Sequence, residues 1–142
     1  MNDLEMAKKK LGRRDLTLCV VKGNMVIFES VMGGISGFLT AVEKLGRELE
    51  GASIADRIAG RAIALLCVNS KVKAVYASIL SKKGKAVFEE YDVHHEWDQI
   101  VESVLDINRV GTCPFEKLAA EISDPSKAYR KIKDLQHLSS RR

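Results

Sequence analysis

No apolar run in the chain approaches the ~20 residues a membrane-spanning helix needs, and the longest, such as Ala62–Val68, stop well short of it. The opening residues MNDLEMAKKKLGRRD lack the apolar core of a signal peptide, so a cytoplasmic protein is expected. Cysteine is sparse: Cys19, Cys67 and Cys113 are odd in number and far apart, which excludes a disulfide framework and a zinc knuckle. There is no Walker or dinucleotide fingerprint, no internal repeat and no low-complexity linker.

What remains is an ordinary globular balance, with 142 residues, 46% apolar and 30% charged. That length suits one domain with a self-sufficient core. The net charge of +4 is unevenly placed. Lys8, Lys9, Lys10, Arg13 and Arg14 crowd the start, and Lys127, Arg130, Lys131, Lys133, Arg141 and Arg142 crowd the end. These runs lack the interleaved aromatics that base stacking uses. A solvated basic terminus is preferred, and nucleic acid is disfavoured as a partner.

LTLCVV and MVIFES are β-branched runs separated by Lys22, Gly23 and Asn24, a hairpin signal. Ile35, Phe38, Leu39, Val42, Leu45 and Leu49 follow helical spacing after Gly33 and Gly34. SIADRIAGRAIALLC predicts a second helix, with Ser53 and Asp56 as a shortened capping box and small residues keeping it slim. VKAVYASIL reads as a buried strand, Ser81–Gly84 open a short helix through Glu89, and YDVHHEW supplies another strand. Trp97, Ile100, Val101, Val104 and Leu105 predict an amphipathic helix. Phe115, Leu118, Ala119 and Ile122 predict a further one, ended by Asp124–Pro125. A last helix from Ser126 would carry Tyr129, Ile132, Leu135 and Leu138 on one face. This order gives a mixed sheet sandwiched by helices.

Chemistry concentrates in INRVGTCPFE. Ligand number argues against a zinc site there: Cys113 and Glu116 stand alone, while His94 and His95 fall on opposite faces of a strand and His137 lies in the tail. With Pro114 opening a helix, Cys113 would be its N-cap, its thiol acidified by the helix dipole. Glu116 at the third position could bond back to the Cys113 amide. That capping reading explains Pro114 and Glu116 without chemistry, and the sequence names no base for a cysteine nucleophile. Cys19 and Cys67 read as buried, inert thiols. Asn108 and Arg109 flank a turn, and the Arg109 fork suits a carboxylate or phosphate; a surface ion pair is its commoner fate. The glycines of MGGISG could cradle a phosphate at a helix start. Asp56 stands between a catalytic carboxylate and a first-turn dipole partner.

Taken together, ADRIAGRAIALLC, VYASILSKKGKAVFEE and INRVGTCPFE resemble, in order and spacing, the uncharacterised prokaryotic DUF1893 family over residues 15–122. The resemblance implies an α/β fold similar to that of cytidine deaminases, a three-layer α/β/α sandwich with a mixed five-stranded sheet. A basic segment (1–14) would precede it and a basic helix or tail (123–142) would follow. Zinc deaminases carry His or Cys with Ala-Glu at one helix start and Pro-Cys-x-x-Cys at the next, where the metal activates water. Here those places hold Asp56, Gly60 and Arg61, and Ser81, Lys82, Lys83 and Gly84. The resemblance therefore implies no metal, no cofactor and no conventional zinc-dependent deamination. It implies a pocket where two helix starts converge, bringing Asp56 near Ser81. The ligand set expected there is Asp56, Ser81, Lys82, Asn108, Arg109, Cys113 and Glu116, holding a nucleotide or similar anionic small molecule. The alternative is an enzyme acting on a nucleotide-like substrate through Cys113 or Asp56. A homodimer through helices beside that edge is compatible with the resemblance.

Overall fold

A computed structural model describes residues 1–104 and 114–140; Asn108, Arg109 and Cys113 lie outside the described residues. The chain opens with helix α1 (Asp3–Arg13), capped by the Asn2 side chain, which accepts the Glu5 amide at 2.8 Å. Leu4, Ala7 and Leu11 recur at helical spacing and are buried. The basic start is thus not merely a solvated run but an amphipathic helix.

Strands β1 (Leu18–Lys22) and β2 (Met25–Ser30) form the expected hairpin. Gly23 and Asn24 take φ of 58° and 64°, the paired left-handed geometry of a tight hairpin turn. The Asp3 carboxylate accepts both of their amides, at 3.0 and 2.9 Å, and so ties α1 to the turn. Helix α2 (Gly34–Leu45) follows and runs into a single 3-10 turn over Gly46–Leu49.

Here the structure departs from the sequence expectation. Ser53–Ala59 is strand β3, and helix α3 begins only at Arg61 and runs to Asn69. β3 lies between two strands and is covered on both faces, so its apolar residues do not alternate and mimic a helix. Ser53 and Asp56 therefore cap nothing. Strand β4 (Ala74–Ser81) leads into helix α4 (Lys82–Glu90), as read from the sequence. Strand β5 runs from His94 to Val101 and takes up Trp97, Ile100 and Val101, whose spacing suggests a helix. Helices α5 (Pro114–Ala119) and α6 (Pro125–Ser140) close the described chain. Ile132 of α6 is fully buried and Tyr129 packs against the core as expected, Ala128 is buried beside them, and Leu138 is 62% exposed, so the inward face stops short of the expected one.

The sheet order is β2-β1-β3-β4-β5. β1 is antiparallel to both neighbours, and β3, β4 and β5 are parallel. One face, with Cys19, Val21, Ala55 and Tyr76, packs against α1. The other carries Val20, Ile54 and Val75 into the main core, beneath Phe38 of α2, Leu66 of α3, Phe88 of α4 and Ile132 of α6. The result is a three-layer α/β/α sandwich with a thin layer and a thick one. Each fully buried large side chain contributes roughly 1.5–3 kcal/mol, so the thick layer dominates stability and fixes the helix starts at the ends of the parallel strands. Among the described residues no helix is long and apolar enough to cross a membrane.

Candidate functional site

Asp56 sits in the middle of β3 with only 8% of its surface exposed. It forms part of a cleft of about 460 Å³ lined also by Ile58, Ile63, Phe115, Gly33 and Gly34. Burial pushes its carboxyl up from 3.8 to about 7, against the opposing effect of the Ile58 and Arg57 amides that hydrogen-bond to it. A mid-strand acid facing apolar walls thus changes charge close to neutral pH. Arg57, its neighbour in sequence, is committed elsewhere: its guanidinium donates to the carbonyls of Leu16 at 2.7 Å and Leu11 at 3.0 Å, closing the end of α1.

The rim of the cleft is the start of α2. Gly33 is its N-cap and supplies no side chain to the first-turn amides. The approach is fixed by Thr17, whose hydroxyl is hydrogen-bonded to the Ser30 and Met32 carbonyls at 2.9 and 2.7 Å, and by Ser30 Oγ, which accepts the Met32 amide at 3.0 Å. Gly37 allows this turn: a Cβ there would lie 2.9 Å from the Met32 carbonyl oxygen. An amide-lined helix start therefore borders the same cavity as a buried acid.

Glu116 bonds far from its own helix. Its carboxylate accepts the backbone amides of Arg61 at 3.2 Å and Ala62 at 3.0 Å, at the start of α3. An anion at a helix N-terminus satisfies free N–H groups and the dipole together. Ser81 is the buried N-cap of α4, its hydroxyl accepting the Gly84 amide at 3.0 Å. Lys82 is exposed and pairs with Glu102. In the register of β3 with β4, Asp56 lies opposite Ala77, which leaves Ser81 roughly 13 Å further along the strand at ~3.3 Å per residue. The two helix starts do converge, as the resemblance implied, but what meets there is Gly60 and Gly84: a Cβ on Gly84 would stand 2.9 Å from the Gly60 carbonyl oxygen. Asp56 belongs to a neighbouring cleft instead.

At the starts of α3 and α4 the donor chemistry does not suit zinc. The start of α3 offers Gly60, Arg61 and Ala62, the start of α4 offers Ser81 and Lys82, and touching backbones fill the space between them. Among the described residues no three His, Cys, Asp or Glu side chains are grouped to hold a metal. His94 pairs with Glu96 at 2.8 Å, and His95 stacks between Phe88 and Trp97. Cys19 and Cys67 are buried, and burial pushes the Cys19 thiol up to about 11 and Cys67 up as well.

Sequence reasoning missed Gly60 and Phe115. An isolated glycine inside an apolar pattern was the available signal for Gly60. Phe115 carries no such mark, because its spacing is that of any core aromatic.

Comparison with solved structures finds a crystal structure of a DUF1893 family protein from Thermotoga maritima, 29% identical, covering 94% of this chain and 89% of that one, with a TM-score of 0.84. RibD of Acinetobacter baumannii is similar in two structures, form 1 and form 2. They are 18% and 19% identical, cover 68% and 84% of this chain but 33% and 38% of RibD, and give TM-scores of 0.49 and 0.45. At that level the likeness says nothing of activity. A comparison with curated proteins found none that matches. The family described as a domain of unknown function, DUF1893, matches residues 6–136, beyond both ends of the 15–122 span seen in the sequence, and the chain belongs to that family.

Proposed function

We propose that the chain binds a nucleotide or similar anionic small molecule in the cleft around Asp56, without zinc. The observation that carries this reading is a buried carboxyl, changing charge near neutrality, in a mainly apolar cleft bordered by a helix start. Ile58, Ile63, Val104 and Phe115 offer walls for a flat ring. A protonated Asp56 donates a hydrogen bond to a ring nitrogen or carbonyl and does not repel an anion. The first turn of α2 supplies amides for the acidic group, whereas the start of α3 already holds Glu116.

The test is calorimetric titration with the four ribonucleoside 5′-monophosphates at pH 6 and pH 8. Saturable binding that weakens at pH 8 in the wild type, and loses its pH dependence in Asp56→Asn, is the expected result. No saturable binding at pH 6 by any of the four sinks the reading.

A second reading makes the protein an enzyme on a nucleotide-like substrate with Asp56 as acid–base group, favoured by that same charge change near neutral pH. It predicts that Asp56→Asn still binds but turns nothing over. The basic side chains of α1 and α6 belong to opposite layers, which supports the absence of a nucleic-acid strip. Unpaired, buried Cys19 and Cys67 support a cytoplasmic setting.

A further inference from the structure

Helices α3 and α5 grip each other from both ends. Glu116 of α5 accepts the first amides of α3, at Arg61 and Ala62. In return the Arg61 guanidinium donates to the carbonyls of Ala119 and Ile122, each at 2.8 Å, where α5 ends. These four bonds join segments more than fifty residues apart, and α5, with six residues, is too short to be stable alone. Its position therefore depends on this grip and on the packing of Phe115 and Leu118 against the core. Gly60 makes the grip possible: a Cβ there would lie 2.8 Å from the Glu116 carboxyl carbon and closer still to Oε1. Phe115, next to Glu116, lines the cleft beside Asp56.

We propose that this clasp keeps Asp56 out of water: Glu116 and Arg61 are positioning residues that hold Phe115 against the cleft, and releasing either end opens the cleft to solvent. The proposal rests on the reading of this cleft as the ligand site, because it names what controls access to it. Among the described residues the titratable groups facing Asp56 are few. Cys67 of α3 lies close enough to feel its charge. Arg57, on its own strand, has its guanidinium engaged by the Leu11 and Leu16 carbonyls. Among the described residues α2 and α5 bring no ionisable side chain to the cleft lining. Hydration is then the main variable that the clasp can change at Asp56.

The experiment follows the Asp56 carboxyl by carbon-detected NMR through a pH titration of the full chain, with no ligand present. Wild type should titrate near neutrality. Glu116→Gln removes the charge at nearly constant size, and Gly60→Ala displaces the carboxylate while leaving it intact. In both, and in Phe115→Ala, the Asp56 midpoint should fall by a pH unit or more toward that of an ordinary aspartate. Lys117→Ala, on the exposed side of α5, should leave it in place. A merely structural role lowers the melting temperature without moving the midpoint, so folded Glu116→Gln with a wild-type midpoint overturns the proposal. A wild-type midpoint near 4 overturns it equally. Should Gly60→Ala fail to fold, Glu116→Gln and Phe115→Ala decide alone. Because no nucleotide is used, a failed nucleotide panel and a failed clasp are separate results.

Discussion

Replacing Asp56 with asparagine should stabilise the protein, and only above a definite pH. Folding raises the Asp56 carboxyl from 3.8 to about 7, chiefly through burial. The folded state therefore holds a proton that the unfolded chain has lost, everywhere between those values. The sign follows: the contribution of this group is most favourable below pH 4, declines as pH rises through 7, and is fully lost above it. At about 1.4 kcal/mol per tenfold, the rise corresponds to about 4 kcal/mol of native stability forfeited at pH 8.

Asparagine cannot ionise, so it escapes that loss. Its carbonyl accepts only part of what the carboxylate accepted from the Arg57 and Ile58 amides, which returns about 1 kcal/mol of the gain. The variant should thus exceed wild type by about 2–3 kcal/mol at pH 8, roughly 5–10 °C in melting temperature for a chain of this length, and match or fall below it at pH 4.5. Urea unfolding of both proteins from pH 4.5 to 8.5 measures this, and the difference between them cancels every other titrating group. Parallel curves across that range would refute the reasoning, since they would mean Asp56 is as hydrated folded as unfolded.

Gly84→Ala should cost about 2–3 kcal/mol by thermal melting, because its Cβ would meet the Gly60 backbone at 2.9 Å, where no side chain can swing aside. Ser81→Ala removes the buried cap of α4 and should cost about 1 kcal/mol with nucleotide titrations unchanged; a binding defect would put Ser81 in the site after all. Lys82→Ala breaks an exposed pair with Glu102 and should change stability by no more than a few tenths of a kcal/mol.

The local features of the fold were legible. Gly23 and Asn24 marked their turn because only certain residues tolerate positive φ, and Ser81 marked the start of α4 because its hydroxyl caps it directly. Two elements misled, for opposite reasons. Central β3 is buried on both faces, so Ile54, Ala55, Ile58 and Ala59 lose the period of two and fall at helical intervals. Edge strand β5 is exposed at most positions, and Trp97, Ile100 and Val101 mimic a helix face within it. The site was half legible. Asp56 and Glu116 stood out as residue types at helix starts, but Asp56 lies within a strand and Glu116 accepts the first amides of a different helix. Glu116 caps a helix more than fifty residues earlier, a pairing no local pattern encodes, and Asp56 owes its chemistry to walls from other elements.

Those two acids divide the work in a way that bears on what the cleft is for. The start of α3, a natural anion site, is sealed from within by Glu116, while the start of α2 carries no side-chain cap. Among the described residues Asp56 has its two neighbouring amides against burial, and burial prevails. A carboxyl that lowers stability across the neutral range, in a cleft it shares with an uncapped helix start, is poorly explained as scaffold, since asparagine would hold β3 more firmly there. Groups of that kind are expected where a site uses them. Stability and the pH dependence of binding should therefore change together in Asp56→Asn; if the variant is firmer yet still binds more weakly at pH 8 than at pH 6, as wild type is expected to, Asp56 is a passive feature of the strand and the ligand is read by other residues.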